Sequence, residues 1–382
     1  MIDARLFLDE LRERNAGLFT GVPCSLLKPF INHTILATDL RYVCAVTEGE
    51  AVGIAVGSTL AGRTGVVLLQ NSGLGNTVNP ITSLTNIYRI PCLLIVSHRG
   101  DPGGRKDAAQ HAVMGRITGG LLDLIDVYRQ DFPGEKGNVA SAVERAFVHM
   151  KENALPAAFV LKRDVVEPFE PDFPAEEPAA ERGETVANDE KPRLAMKRAD
   201  AVAAIADLLD EPDLVVSATG KTSRELAACH DRPGNFYMQG SMGTTAAIGL
   251  GVALVRPERR MVILDGDGAV LMRMGSLATV GHYRPERFVH VLLDNGAYDS
   301  TGGQQTVSPT VDFPGVAVAA GYRRAATVYS AQQLQAFWKL FAGEPGPSLL
   351  HVKVLKGAKK DLPRPGWTAV DIRDRFMESL NG

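Results

Sequence analysis

The sequence predicts an α/β protein of two doubly wound domains, each built on a mostly parallel six-stranded sheet. Three observations point there. Short β-branched runs, apolar on consecutive residues, alternate with longer helix-patterned stretches, as strands covered on both faces do. About six such runs fall in each half of the chain. Between the halves, residues 167–194 are rich in Pro and Glu, poor in apolar residues and without periodicity, which is the composition of an exposed linker.

In the first half the strand candidates are LFTG (18–21), RYVCAV (41–46), GVVLLQ (65–70), PCLLIV (91–96) and AAFVLK (157–162), with a weaker one near residues 121–127. In the second half they are DLVVSA (213–218), NFYMQ (235–239), RMVILD (260–265), FVHVLLD (288–294), AATVY (325–329) and SLLHVKV (348–354). The expected domains are therefore 1–166 and 195–382, with no third domain between them. The halves share an architecture without a visible sequence repeat.

The 382 residues give length for more than one core. A formal net charge of −3 advertises no nucleic-acid footprint, so any basic site must be local. Cys24, Cys44, Cys92 and Cys229 lack metal-ligand spacing and read as small buried residues in a reducing compartment. The N-terminal MIDARLFLDELRER is amphipathic and acid-containing, unlike a signal peptide, and no apolar run approaches the ~18 residues of a membrane span. These features predict a cytoplasmic protein, with no nucleic-acid or membrane partner.

In open α/β sheets ligands bind beyond the carboxyl ends of strands, so the loops there are searched for chemistry. The strand MVILD runs into Gly266-Asp267-Gly268, whose glycines permit close backbone approach to an anion. A carboxylate between them has the wrong charge for a phosphate unless a cation intervenes, and Mg2+ commonly bridges the two. After Gly268 come 25 residues, then Asp294-Asn295 at the end of FVHVLLD. A strand–helix–strand unit of that length brings Asp267 and Asn295 to neighbouring strand ends. Upstream, Gly240-Ser241-Met242-Gly243 precedes TTAAIGLGVALV, a small-residue helix suited to close packing. In the first half, the strand ending at Val46 leads into Glu48, which the helix dipole favours at a first turn.

These segments together resemble the thiamine-diphosphate-dependent decarboxylases, whose fingerprint is GDG, some 25 residues, and a pair ending in Asn. The resemblance implies the thiamine-diphosphate-binding fold with thiamine diphosphate and Mg2+ as cofactors. It implies metal ligation by Asp267, Asn295 and the carbonyl of Ala297, with Asp294 departing from the usual first Asn. It implies cofactor contacts from Gly240, Ser241, Met242, Gly266, Gly268, Ala269 and Tyr298, with Met242 propping the cofactor into its bent shape and the Gly240 carbonyl accepting from the exocyclic amine. Glu48, followed nine positions on by Gly57, matches the acid that hydrogen-bonds the pyrimidine ring; Glu50 is its rival and lacks the register. Residues 1–166 then correspond to a pyrimidine-binding domain and 195–382 to a diphosphate and metal-binding domain, with the cofactor shared between subunits of a homo-oligomer, at least a dimer.

Lacking a central domain, the chain is most similar to the phosphonopyruvate and sulfopyruvate decarboxylases, through LFTGVPCSLLKPFIN (18–32), EGEAVGIAVG, QNSGLGNTVNPITSL (70–84), NFYMQGSMG (235–243) and DLPRP (361–365). The loop HRGDPGGRKDAAQH (98–111) gathers His98, Arg99, Arg105, Lys106 and His111, basic groups suited to a substrate bearing carboxylate and phosphonate. It resembles the family's RGEPG…DEPQH stretch, with DAAQ in place of DEPQ and a change of length. Asn71 and Ser72 are further candidate substrate contacts, and His111 is the candidate proton donor to the decarboxylated intermediate. The activity implied is decarboxylation of 3-phosphonopyruvate, in phosphonate and antibiotic biosynthesis. The alternatives are a sulfopyruvate decarboxylase, another thiamine-dependent decarboxylase or a carboligase. A dinucleotide-binding dehydrogenase lacks its motif, since GLGN (73–76) has no third glycine. A non-catalytic scaffold would not need Glu48 and the metal ligands.

Overall fold

The structure is a computed structural model describing residues 1–173 and 183–380. Residues 174–182 of the predicted linker lie outside the described residues. The chain divides into two compact units, Met1–Glu176 and Glu177–Gly382.

The first unit carries β1 (Ala16–Gly21), β2 (Arg41–Cys44), β3 (Thr64–Gln70), β4 (Leu93–Ser97), β5 (Tyr128–Asp131) and β6 (Ala157–Leu161). They form one parallel sheet in the order β2-β1-β3-β4-β6-β5. Every residue of β1, β4 and β6 is buried, as both-face coverage by helices demands. On one face Phe7, Phe30, Phe132 and Phe159 pack edge to face or tilted, Phe7 lying 4.7 Å from Phe132 and 4.9 Å from Phe159. The weak strand candidate near residues 121–127 is corrected: it is the end of helix Ala112–Leu124 and the turn after it. Leu122 is buried while Leu124 is 81% exposed, and Asp126 turns the chain at φ 57°. The strand follows as Tyr128–Asp131, at a sheet edge, where alternating exposure tolerates the polar sequence YRQD.

The second unit carries β7 (Glu184–Thr185), β8 (Leu214–Ser217), β9 (Asn235–Tyr237), β10 (Met261–Gly266), β11 (Phe288–Asp294), β12 (Ala297–Tyr298), β13 (Gln304–Gln305), β14 (Arg324–Val328) and β15 (Ser348–Lys353). Its main sheet is parallel, in the order β7-β14-β15-β11-β10-β8-β9; β12 and β13 form a separate antiparallel hairpin. Seven strands thus replace the expected six. The addition is β7, two residues from the stretch read as linker, hydrogen-bonded beside β14. Gly183 leads into it, where a Cβ would lie 1.8 Å from the Tyr322 carbonyl oxygen. Beneath the sheet's carboxyl end runs helix Thr245–Val255, buried from Thr245 through Ala253, with Gly249 against Ile263.

Both tryptophans belong to this unit. Trp338 is buried, and Trp367 donates from Nε1 to Asp231 at 2.8 Å beneath the Arg375 guanidinium. No described helix is long and apolar enough to cross a membrane.

Candidate functional site

In the second sheet the strand order changes direction between β8 and β10, since the chain moves outward to β9 on one side and to β11 on the other. Such a switch leaves a crevice at the carboxyl ends of the strands. A cavity of about 260 Å³ lies there, lined from the ends of β8, β10 and β11. The predicted residues Met242, Gly266, Asp267, Gly268, Ala269, Asn295, Ala297 and Tyr298 all line it. Gly240 and Ser241 are not among its lining residues; Ser241 is buried in the left-handed region at φ 51°, and its carbonyl accepts from Thr244 Oγ1 at 2.6 Å.

Asp267 opens the helix Asp267–Met272 and is 3% exposed. Burial pushes its carboxyl up, the Thr306 hydroxyl bonded to Oδ2 at 2.5 Å works against that, and the nearby Asp294 charge pushes it further up. Asn295 accepts the Ala297 N–H on Oδ1 at 3.0 Å and donates through Nδ2 to Asp299 at 2.7 Å. Asp294, the departure from the Asn-Asn pattern, is wholly buried. It accepts from His351 Nε2 (2.9 Å), Lys353 Nζ (2.7 Å), Ser308 Oγ (2.8 Å) and the Gly296 N–H (3.0 Å). Burial alone would raise its carboxyl; His351, Lys353 and Ser308 outweigh it and hold the group well below the usual carboxylate range. The extra charge therefore has a countercharge of its own in Lys353.

Among the residues lining the cavity, Asp267 carries a carboxylate, Asn295 an amide oxygen and Ala297 a main-chain carbonyl. Hard oxygen donors of this kind are the type that would hold Mg2+. Among the described residues there is no cluster of three or more His, Cys, Asp or Glu side chains. The backbone fits close anion approach as well. A Cβ on Gly268 would lie 2.3 Å from the Tyr298 ring, and one on Gly220, at φ 96°, would lie 2.6 Å from Ser300 Oγ.

Sequence reasoning missed part of this wall. Thr219, Gly220, Lys221 and Thr222 follow β8 and open helix Lys221–Cys229 on the cavity. Their signal was present: a glycine turn, a lysine and a hydroxyl directly after a strand, the arrangement that cradles phosphate. Thr306 and Ser308 had no local signal, because their partners Asp267 and Asp294 are 39 and 14 residues away.

In the first unit Glu48 begins helix Glu48–Leu60, which Thr47 caps by accepting the Glu50 N–H at 3.2 Å. The Glu48 side chain is half-buried and lies over Gly73, where a Cβ would come 2.2 Å from its Oε1. Asn76 Nδ2 donates to its Oε2 at 2.7 Å. Glu50 is 1% exposed and turns back to accept the Val46 N–H at 2.7 Å, closing the helix entrance. The two acids are thus separated by geometry: Glu50 holds the local backbone, and Glu48 reaches the loop after β3.

The basic loop after β4 divides its predicted residues between two tasks. Arg99 makes a two-pronged pair with Asp107, at 2.7 Å for each bond. Arg99, first, and the N–H groups of Ala108 and Gly100 hold the Asp107 carboxyl well below its usual range, against burial. Asn71 is fully buried; its Nδ2 donates to the Arg99 carbonyl (2.8 Å) and Thr118 Oγ1 (2.9 Å), and its Oδ1 accepts the Arg99 N–H (3.3 Å). Arg99 and Asn71 therefore brace the loop. Ser72 is exposed and accepts from Gln70 Nε2 at 2.7 Å. Arg105 and Lys106 are exposed, with Arg105 3.5 Å from Asp164. His98 is fixed through Nε2 to the Gly115 carbonyl at 2.7 Å, and His111 is 7% exposed. Among the described residues, the buried Nδ1 atoms of both rings have no hydrogen-bond partner.

The thiamine pyrophosphate enzyme N-terminal TPP binding domain matches residues 3–116, and the C-terminal TPP binding domain matches residues 218–352. The chain is 44% identical to a phosphonopyruvate decarboxylase of Streptomyces viridochromogenes over 93% of its own length and 89% of the relative's. It is 41% identical to that of Streptomyces hygroscopicus over 99% and 94%. A sulfopyruvate decarboxylase of Methanosarcina acetivorans is 29% identical over 98% and 96%. The benzoylformate decarboxylase structure from Polynucleobacter necessarius superposes with a TM-score of 0.74 at 13% identity, covering 94% of this chain and all of that one, a likeness of fold. With two parallel sheet units, a TPP binding domain match in each and near full-length similarity, the chain belongs to the thiamine-diphosphate-dependent decarboxylase family.

Proposed function

We propose that the protein decarboxylates 3-phosphonopyruvate to phosphonoacetaldehyde and CO2, with thiamine diphosphate held through Mg2+. The observation that carries the metal part is the meeting of Asp267, Asn295 and Ala297 in one cavity at a strand-order switch. Asp267, Asn295 and the Ala297 carbonyl hold the ion. The first turn of helix Lys221–Cys229 and the Gly266–Ala269 backbone face the diphosphate. When bound, thiamine diphosphate supplies a nucleophilic carbon and an electron sink for the electrons released with CO2. Glu48 holds a proton at the pyrimidine ring nitrogen. Arg105 and Lys106, whose cationic ends are exposed, attract the phosphonate. His111, whose buried Nδ1 has no hydrogen-bond partner among the described residues, holds the proton that the product carbon takes up. The active form is a homo-oligomer whose copies share the site, and its place is phosphonate biosynthesis.

Sulfopyruvate is the second reading, supported by the full-length similarity to a sulfopyruvate decarboxylase and by a loop that departs from the family's DEPQ. The test is CO2 release from phosphonopyruvate, sulfopyruvate and pyruvate with Mg2+ and thiamine diphosphate, and after chelation. Phosphonopyruvate is expected to be the best substrate, with activity lost on chelation and restored by Mg2+. Faster turnover of sulfopyruvate selects the second reading, and no CO2 from any of the three refutes both.

A further inference from the structure

The side-chain amide of Asn295 is read from both ends in the same sense. Its Nδ2 donates to Asp299 Oδ2 at 2.7 Å, and its Oδ1 accepts the Ala297 N–H at 3.0 Å. A carboxylate only accepts and a backbone N–H only donates, so the flipped amide would create two repulsions at once. Asp299 is itself held. The same Oδ2 accepts from Arg198 Nη1 at 2.8 Å and from the Gly357 N–H at 3.1 Å. Arg198 is also doubly bonded to Glu225, at 2.8 and 3.1 Å. The side chains of Arg198, Asp299 and Glu225 are 7%, 6% and 3% exposed.

Three chain segments therefore converge on one carboxylate: the first residue of helix Arg198–Ala206, the loop after β11 and the residues after β15. Two acids sharing one guanidinium leave a net negative charge out of water, an arrangement that apolar packing often matches or betters in stability. Stability alone does not account for it. Resting on the Mg2+ reading above, the geometry points to Asp299 as a positioning residue that locks the Asn295 amide with Oδ1 toward the metal, and to Arg198 as the group that holds Asp299.

The test is Mg2+ titration of the full-length protein with thiamine diphosphate present, followed by calorimetry, alongside the melting temperature of the cofactor-free protein. Asp299→Asn keeps the volume, leaves Arg198 paired with Glu225, and removes the acceptor-only character. It should weaken Mg2+ binding by roughly 10–100-fold, the range for groups behind a metal ligand. Its cofactor-free melting temperature should stay near the parent's, and turnover should recover at saturating Mg2+. Asn295→Asp sets two carboxylates face to face and should also weaken binding; adding Asp299→Asn reverses the polarity of the pair and should regain most of the loss. Mg2+ affinity of Asp299→Asn within about twofold of the parent, the spread of uncoupled sites, overturns the inference. If Asp299→Asn folds poorly, the double variant decides, and no recovery over Asn295→Asp overturns it. A parent protein whose thiamine diphosphate binding ignores Mg2+ overturns the metal reading and this inference with it.

Discussion

The loops after β10 and β11 and the loop after β4 occupy equivalent ends of two parallel sheets, yet they are finished to different degrees. In the second unit buried carboxylates are paired from within: Asp294 with Lys353 and His351, and Asp299 with Arg198. In the first unit one arginine and one buried amide build the loop, while Arg105 and Lys106 stay in solvent and the loop's two buried imidazole Nδ1 atoms have no hydrogen-bond partner among the described residues. The contrast suits the proposed division of labour. A resident cofactor favours a site whose polar groups are already fixed, whereas a substrate that comes and goes favours groups it can engage on arrival.

Six substitutions break or sharpen that contrast. The largest effect is expected from Glu48→Gln, which should still bind thiamine diphosphate but lower kcat by roughly 10²–10⁴-fold, the span for a lost proton-transfer group. Steady-state CO2 release and cofactor titration check it, and near-normal turnover would transfer the role to another acid. Lys353→Met leaves Asp294 buried with a weaker set of partners. Because Lys353 is 29% exposed, the loss should fall below the 3–5 kcal/mol of a fully buried pair, at about 2 kcal/mol in urea unfolding. The depressed Asp294 carboxyl contributes stability that is present above the ordinary carboxylate range and is lost as pH falls through its lower folded value. The variant, with that depression reduced, should therefore unfold at a higher pH than the parent during acid titration.

Asn71→Ala removes three hydrogen bonds inside the first unit and should cost about 1–3 kcal/mol. Exposed Ser72→Ala should stay within about 0.5 kcal/mol. Equal losses for the two would erase the distinction between bracing and solvent-facing residues. The smallest effect belongs to Arg105→Ala and Lys106→Ala. Each should raise KM up to about fivefold with kcat little changed, and less so at high salt, as for exposed ion pairs. A salt-independent change would place these residues in structure instead of substrate attraction.

What could be read from the sequence was the chemistry carried by short spacings. The interval from Asp267 to Asn295 is fixed by one helical crossover between the adjacent parallel strands β10 and β11, so their meeting follows from local structure. Arg198 and Asp299 are 101 residues apart, and no periodicity relates them. Central strands such as β4 and β6 stood out because full burial makes them uniformly apolar. Two polar edge strands did not: Tyr128–Asp131 and Glu184–Thr185 depend for their identity on a neighbour's free hydrogen-bonding edge. The cluster of five basic residues in the loop after β4 was legible, but which of them face solvent and which pair with Asp107 was decided by side-chain geometry.

The placement of both indole rings in the second unit makes intrinsic fluorescence a one-sided witness. Selective indole excitation follows the unfolding of Glu177–Gly382 and is silent about Met1–Glu176, whereas backbone dichroism records both. A denaturation midpoint that differs between the two signals would mean that the halves melt separately, and coincident midpoints would mean one cooperative transition.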